Sequence, residues 1–179
     1  SNKGGVKPSG NLLGASMHLN LSDRPRRNRK HPWVRKMMKE TTLGPEHLIY
    51  PLFIFDGEGR QPIASMPGQA RLGKKALLEE VGAAQADGIG AVVLFPAEKE
   101  HLKTSDGAEA YNPKGLVPTT IRAIKANYPH MIVVTDVALD PYSSDGHDGL
   151  VDKDGAILND ETVAVLVKQA VTQAEAGAD

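Results

Sequence analysis

The sequence has no cysteine among its 179 residues. Disulfide cross-links are therefore excluded, as is any metal site built on thiolates. A reducing compartment is compatible with this lack but not required by it. A surplus of one charge is missing too: 21 basic residues face 22 acidic ones, leaving a formal charge of −1. That balance argues against a dedicated nucleic-acid binder, which carries a basic excess. Aromatic residues are sparse at 4%, and none interleaves the one strong basic run, Arg24-Pro25-Arg26-Arg27-Asn28-Arg29-Lys30. A solvated basic arm is the plain reading of that run. Long apolar runs are also lacking. Nothing approaches the roughly 20 residues that cross a bilayer as a helix, so no membrane partner is expected. What is present, 40% hydrophobic residues, suits a soluble α/β domain.

Both ends look cut. The first residue is Ser1, and 1–20 is rich in Gly, Ser and Asn with no acid. A transit-peptide remnant, a disordered tail or a cloning remnant would each have that composition. The last residues, Ala176-Gly177-Ala178-Asp179, fall where a helix has closed and a new strand is due.

Between these ends, strands and helices alternate. Leu48–Phe55, Ala91–Phe95 and Met131–Val137 are apolar runs that read as buried strands, as a parallel sheet covered by helices requires. Pro51 must sit at an edge, a bulge or a strand start, and Pro96 ends the second run. Helices are predicted over His31–Thr41, Lys74–Asp87 and Pro118–Asn127. A last one starts at Asn159 as N-cap, and Gly177 closes it. Its Val163, Leu166, Val167, Ala170, Val171 and Ala174 share one face. The order is an arm over 1–30, then a helix and three βα units within 31–179. Such units build either an open doubly wound sheet or a (β/α)₈ barrel. Periodicity does not decide between them.

Chemistry concentrates after the third strand, in Thr135-Asp136-Val137-Ala138-Leu139-Asp140-Pro141-Tyr142-Ser143-Ser144-Asp145-Gly146-His147-Asp148-Gly149. Parallel α/β folds place their sites at this strand edge. Asp136, Asp140 and Asp148 are the candidate carboxylates. A Pro-Tyr-Ser-Ser turn and a Gly-His step between them let the loop fold back. Clustered carboxylates repel, and Mg²⁺ or a substrate ammonium would relieve them. Turn chemistry alone also explains aspartate in such a loop. Tyr142, Ser143 and His147 are further possible contributors. Asp152, Asp154, Gly155, Ile157 and Glu161 mimic part of a calcium loop. Its first ligand would be Leu150, which cannot coordinate, so Val151–Gly155 reads as a turn.

Many motifs in register carry a resemblance. Arg24-Pro25-Arg26-Arg27, Tyr50-Pro51-Leu52-Phe53, Ser65-Met66-Pro67-Gly68, Leu94-Phe95-Pro96, Glu109-Ala110-Tyr111-Asn112 and Gly146-His147-Asp148-Gly149 resemble the 5-aminolevulinate dehydratase (porphobilinogen synthase) family from about Asp23 to Asp179. The resemblance implies a (β/α)₈ TIM barrel, of which this chain holds the N-terminal arm and about three βα units. It implies condensation of two 5-aminolevulinate molecules to porphobilinogen with loss of two waters, in haem and chlorophyll biosynthesis. It also implies a homo-oligomer, typically an octamer, held through the arm. Asp136 is similar to the family's active-site aspartate. Zinc-dependent members carry three cysteines where this chain has Ala138, Asp140 and Asp148, and hard oxygens favour Mg²⁺ over Zn²⁺. That aspartate-rich branch implies a plastid location in a photosynthetic eukaryote, and otherwise the cytoplasm. The family's two Schiff-base lysines lie on later strands, and nothing here fills their role. The chain alone is expected to be inactive. A non-catalytic metal- or subunit-binding module derived from that barrel is the alternative.

Overall fold

The structure, a computed structural model, describes residues 26–179. The Gly- and Ser-rich start and the arm as far as residue 25 lie outside the described residues. The chain divides into two compact units, with the boundary between Thr42 and Leu43. In the first unit, the helix expected over His31–Thr41 is the shorter α2 (Pro32–Met37), and a separate single turn, α1 (Arg27–Lys30), precedes it within the basic run read as arm. Pro32 explains the break. It lacks an N–H and so suits a helix's first position, and it disfavours helical backbone at His31, which is extended. Neither piece buries a residue, so they build no core of their own.

The second unit is a five-stranded sheet with helices. Its strands are β1 (Ile49–Phe55), β2 (Arg60–Pro62), β3 (Ala70–Leu72), β4 (Ala91–Ala97) and β5 (Ile132–Thr135), in the order β2-β3-β1-β4-β5. β3, β1, β4 and β5 run parallel, and β2 is antiparallel to β3. The β2–β3 hairpin is absent from the sequence reading because strands of three residues are too short to show a period. β4 runs through Pro96 instead of ending there. Both prolines fit the sheet for the same reason. β3 pairs only with Phe53 and Ile54 of β1, and β5 reaches only as far as Leu94 of β4. Pro51 and Pro96 thus each lie where the strand lacks one neighbour, and a missing donor costs little there.

Three helices follow: α3 (Lys74–Ala86), α4 (Leu116–Asn127) and α5 (Asn159–Ala176). α3 stops as its glycine dictates. Gly88 has φ of 88°, Ile89 N–H donates to Ala84 O at 2.9 Å and Gly88 N–H to Gln85 O at 3.0 Å, which is a Schellman closure. α4 starts two residues before its expected Pro118, because a helix's first turn needs no N–H partners and tolerates proline. Asn159 is the first residue of α5, not its cap; Leu158 holds that position and no side chain caps the end.

All three helices pack on the same face of the sheet. Register places Tyr50, Val92 and Val133 side by side, and Leu52 beside Leu94. These side chains join Ala76, Leu77 and Val81 of α3, Val117, Ile121 and Ile124 of α4, and Ala176 of α5 in one core. The other face carries Ile49, Phe53, Phe95 and Ile132, of which Ile49 and Ile132 are about half exposed. A doubly wound sheet would place helices on both sides. One-sided cover is the arrangement of a barrel wall, seen here as an arc of parallel strands with helices outside.

The apolar stripe of α5 does not face this core. Val163, Val167 and Val171 are exposed, while Thr162, Gln169, Thr172 and Gln173 are buried. The inner face is polar because it bonds to loops, as described below. Truncating a core residue therefore separates the two faces by experiment. Ile121→Ala is expected to cost about 2–5 kcal/mol, read as a lower urea midpoint. Val163→Ala should shift that midpoint far less. Equal losses at both positions would contradict the packing.

Candidate active site

β5 ends at Thr135, so Asp136 opens the loop at the sheet's C-terminal edge. The following turn is fastened from three sides. Leu139 and Tyr142 are buried and form a second small core with Ala110 and Val165. Tyr142 N–H and Ser143 N–H both donate to Leu139 O at 2.9 Å, closing the turn around Asp140. The loop after β4 ties in through Thr104, whose N–H donates to Tyr142 O at 3.0 Å and whose carbonyl accepts from Ser144 N–H at 3.1 Å. Asp140 sits between two anchored neighbours and keeps its carboxylate exposed.

A cleft of about 240 Å³ opens at this edge. Phe53 and Phe95, with ring centroids 5.9 Å apart, contribute its apolar part. Asp136, Ala138, Asp140 and Tyr142 line it from the loop, Gln173 from α5 and Arg71 from β3. Among the described residues lining it there is no lysine. Lys99 pairs with Asp56, Lys103 with Glu100 and Lys125 with Asp179, and Lys168 lies 5.2 Å from the Tyr111 ring.

The acids share one field. Partial burial pushes the Asp140 carboxyl above its ordinary value, with Asp148 and then Asp136 adding to the rise. Asp148 itself is exposed and does not line the cleft. Burial, together with Glu98, Glu109, Asp140 and Asp136, pushes the Tyr142 hydroxyl well up, so it stays neutral. Ser143 is buried, and its Oγ accepts from Asp145 N–H at 3.2 Å, which holds the turn. His147 is exposed beside Gly146. The Val151–Gly155 segment is a turn: Asp152 Oδ1 accepts from Asp154 and Ala156 N–H at 2.9 Å each. Among the described residues no three His, Asp or Glu side chains converge as a ready cation cage.

Three features of this rim escape sequence reading. Arg71 belongs to the short hairpin. Gln169 and Gln173 stand on a helix face that looked polar and hence outward. Glu98 sits in Ala97-Glu98-Lys99-Glu100, which has the look of a solvated charged run. Yet its Oε1 is buried without a partner. Burial, then Glu109 and Asp56, raises its pKa from 4.5 to about 7, against a smaller opposing pull from Lys99.

That proton has a measurable consequence. The folded protein binds it more tightly than the unfolded chain, so this group favours folding most below its ordinary value of 4.5. The contribution is lost as pH rises to about 7. Glu98→Gln should flatten this part of the pH–stability curve and raise the thermal midpoint above pH 7. A curve unchanged by that substitution would contradict the assignment.

Comparison with known proteins agrees with the arc and its loop. Residues 22–179 match the family described as Delta-aminolevulinic acid dehydratase. Delta-aminolevulinic acid dehydratase 1, chloroplastic, of Arabidopsis thaliana is 59% identical over 162 residues, covering 90% of this chain and 38% of the relative. The chloroplastic dehydratase of Glycine max is 57% identical, with 90% and 39% covered. The crystal structure of the Toxoplasma gondii delta-aminolevulinic acid dehydratase (porphobilinogen synthase), in complex with the reaction product porphobilinogen, superposes with a TM-score of 0.83. It is 52% identical, covering 90% of this chain and 46% of that one. The chain thus spans less than half the length of these relatives. With its motifs, its one-sided barrel wall and its acidic rim, this chain belongs to the delta-aminolevulinic acid dehydratase family.

Proposed function

We propose that this chain is part of an enzyme that condenses two 5-aminolevulinate molecules to porphobilinogen with loss of two waters. The observation that carries the reading is the pair Asp136 and Asp140 at the mouth of a strand-edge cleft, in a chain of this family. 5-Aminolevulinate carries an ammonium and a carboxylate. Asp136 and Asp140 offer negative charge for the ammonium, in a cleft whose phenylalanines exclude water from one side. An apolar floor strengthens that pairing by lowering the local dielectric. Asp136, at the first loop position, is the residue we assign to proton transfer or substrate positioning. Tyr142, kept neutral, offers a hydroxyl that does not titrate in the working range. The covalent step needs lysines that form Schiff bases, and we place those on the remainder of the barrel.

Magnesium fits the donor set better than zinc. Asp140 and Asp148 offer hard carboxylate oxygens, Ala138 offers no ligand, and thiols are absent. The rise at Asp140 to which Asp148 and Asp136 contribute is what a cation would relieve. With fewer than three converging side chains, a bound Mg²⁺ would keep several waters, as that ion commonly does. Its contribution would be positive charge against the clustered carboxylates. The basic run and arm suit a homo-oligomeric contact, an octamer by analogy with the family, and the chloroplastic relatives suit a plastid location.

In the full-length enzyme, Asp136→Asn should lower kcat by about 100-fold or more, measured as porphobilinogen formation with folding checked by circular dichroism. Wild-type turnover in that variant would sink the assignment. After dialysis against EDTA, Mg²⁺ should restore activity; recovery with Zn²⁺ alone would refute the metal reading. Purified residues 1–179 should form no porphobilinogen. Turnover by that chain would mean that a lysine within it does the chemistry.

A further inference from the structure

A buried glutamine is costly unless its amide finds partners, and α5 buries two where its pattern offers valines. Gln169 is 1% and Gln173 3% exposed, while Val167 and Val171 of the same helix are 57% and 50% exposed. Their bonds explain the inversion. Gln173 Nε2 donates to the carbonyl of Asp136 at 3.0 Å, and its Oε1 accepts from Thr135 Oγ1 at 2.9 Å. Gln169 Nε2 donates to the carbonyl of Ala138 at 3.0 Å. Gln169 Oε1 is buried without a partner. Flipping that amide would put oxygen against the Ala138 carbonyl, so the bond fixes its orientation. Two side chains one helical turn apart thus hold two carbonyls two residues apart, on the segment that ends β5 and starts the acidic loop. Leu139, the residue between Ala138 and Asp140, is fully buried, so the path fixed at Ala138 is carried on to Asp140.

We propose that Gln169 and Gln173 are positioning residues, which fix the backbone on which Asp136 and Asp140 stand and so set where both carboxylates meet the cleft. Gln173 also lines the cleft. This rests on the reading that those aspartates act on substrate, and it extends it to a helix that carries none of the reacting groups. Neither glutamine needs to touch the substrate for its loss to misplace an acid. Small displacements suffice, since reacting groups held off by about 1 Å lose on the order of 100-fold in rate.

The test uses the full-length enzyme with Gln173→Met and Gln169→Met, which keep side-chain bulk and remove the amide. Hydrogen exchange of amides in 136–142 should accelerate about tenfold, as expected for the loss of one or two net hydrogen bonds. Peptides from β4 should exchange as in the parent, and turnover should fall about tenfold or more. Thr135→Val removes the strand-side partner without altering α5, and serves if a methionine variant does not fold; a smaller acceleration in the same amides is expected. Gln173→Glu offers a donor to Asp136 only when protonated. Its loop exchange, relative to the parent at the same pH, should therefore be nearest normal in acid. Loop exchange that stays parental in these variants overturns the proposal, as does parental turnover in the face of a loosened loop. Exchange does not require catalysis. An inactive parent enzyme therefore counts against the function proposed above, while the exchange still decides whether the glutamines hold the loop.

Discussion

Everything in this chain depends on a parallel sheet buried on one face only. A sheet with both faces apolar must cover both, and here α3, α4 and α5 all go to the same side. The uncovered face turns Phe53 and Phe95 toward the cleft. Right-handed crossovers make this outcome natural, since β1, β4 and β5 are added in one direction across the sheet and a constant hand then keeps each crossover helix on the same side. The site then follows from topology: the C-terminal strand ends share one rim, and whatever chemistry the loops carry is gathered there.

On that rim, charge is managed by burial and by counter-charge in different places. Away from the cleft, acids are neutralised directly. Glu80 accepts from Tyr50 Oη and Arg60 Nη1 at 2.7 Å each, joining β1, α3 and the hairpin, and its carboxyl is held below the usual range by those bonds. Tyr50 answers with a hydroxyl pushed up to about 12. At the cleft no such partner serves Asp140 among the described residues, nor does any of them hydrogen-bond the buried Oε1 of Glu98. The contrast separates acids that hold the fold from acids available to a ligand. Uncompensated carboxylates cluster where function needs them more often than where stability does.

Much of the architecture was legible from residues alone. The three long strands and α3, α4 and α5 follow from apolar runs and their stop signals, with Gly88 and Gly177 ending helices through the backbone they alone adopt easily. The break in an apolar run put Asp136 at the strand edge, and the turn residues after it marked Asp140 and Asp148 as neighbours in one loop; of the three, Asp136 and Asp140 line the cleft. What failed has physical reasons. The hairpin strands are three residues long, below any readable period. The facing of α5 could not be read because hydropathy assumes that helices bury apolar side chains, and here Gln169, Thr172 and Gln173 turn inward to donate to carbonyls outside the helix and Thr162 to accept from Leu150 N–H. Glu98 was hidden because its charged sequence neighbours mark a solvated run, while its own carboxyl is carried inward and buried. The choice between barrel and open sheet was also closed to periodicity, since it depends on which side helices fall.

The bridge between Thr104 and Ser143 couples two loops that are far apart in sequence. One follows β4 and the other β5, yet their backbones bond as a short ladder. Neither can swing out independently without breaking those bonds, so both belong to one cooperative unit of local opening. Opening of the turn that carries Asp140 would therefore draw the Thr104 loop with it.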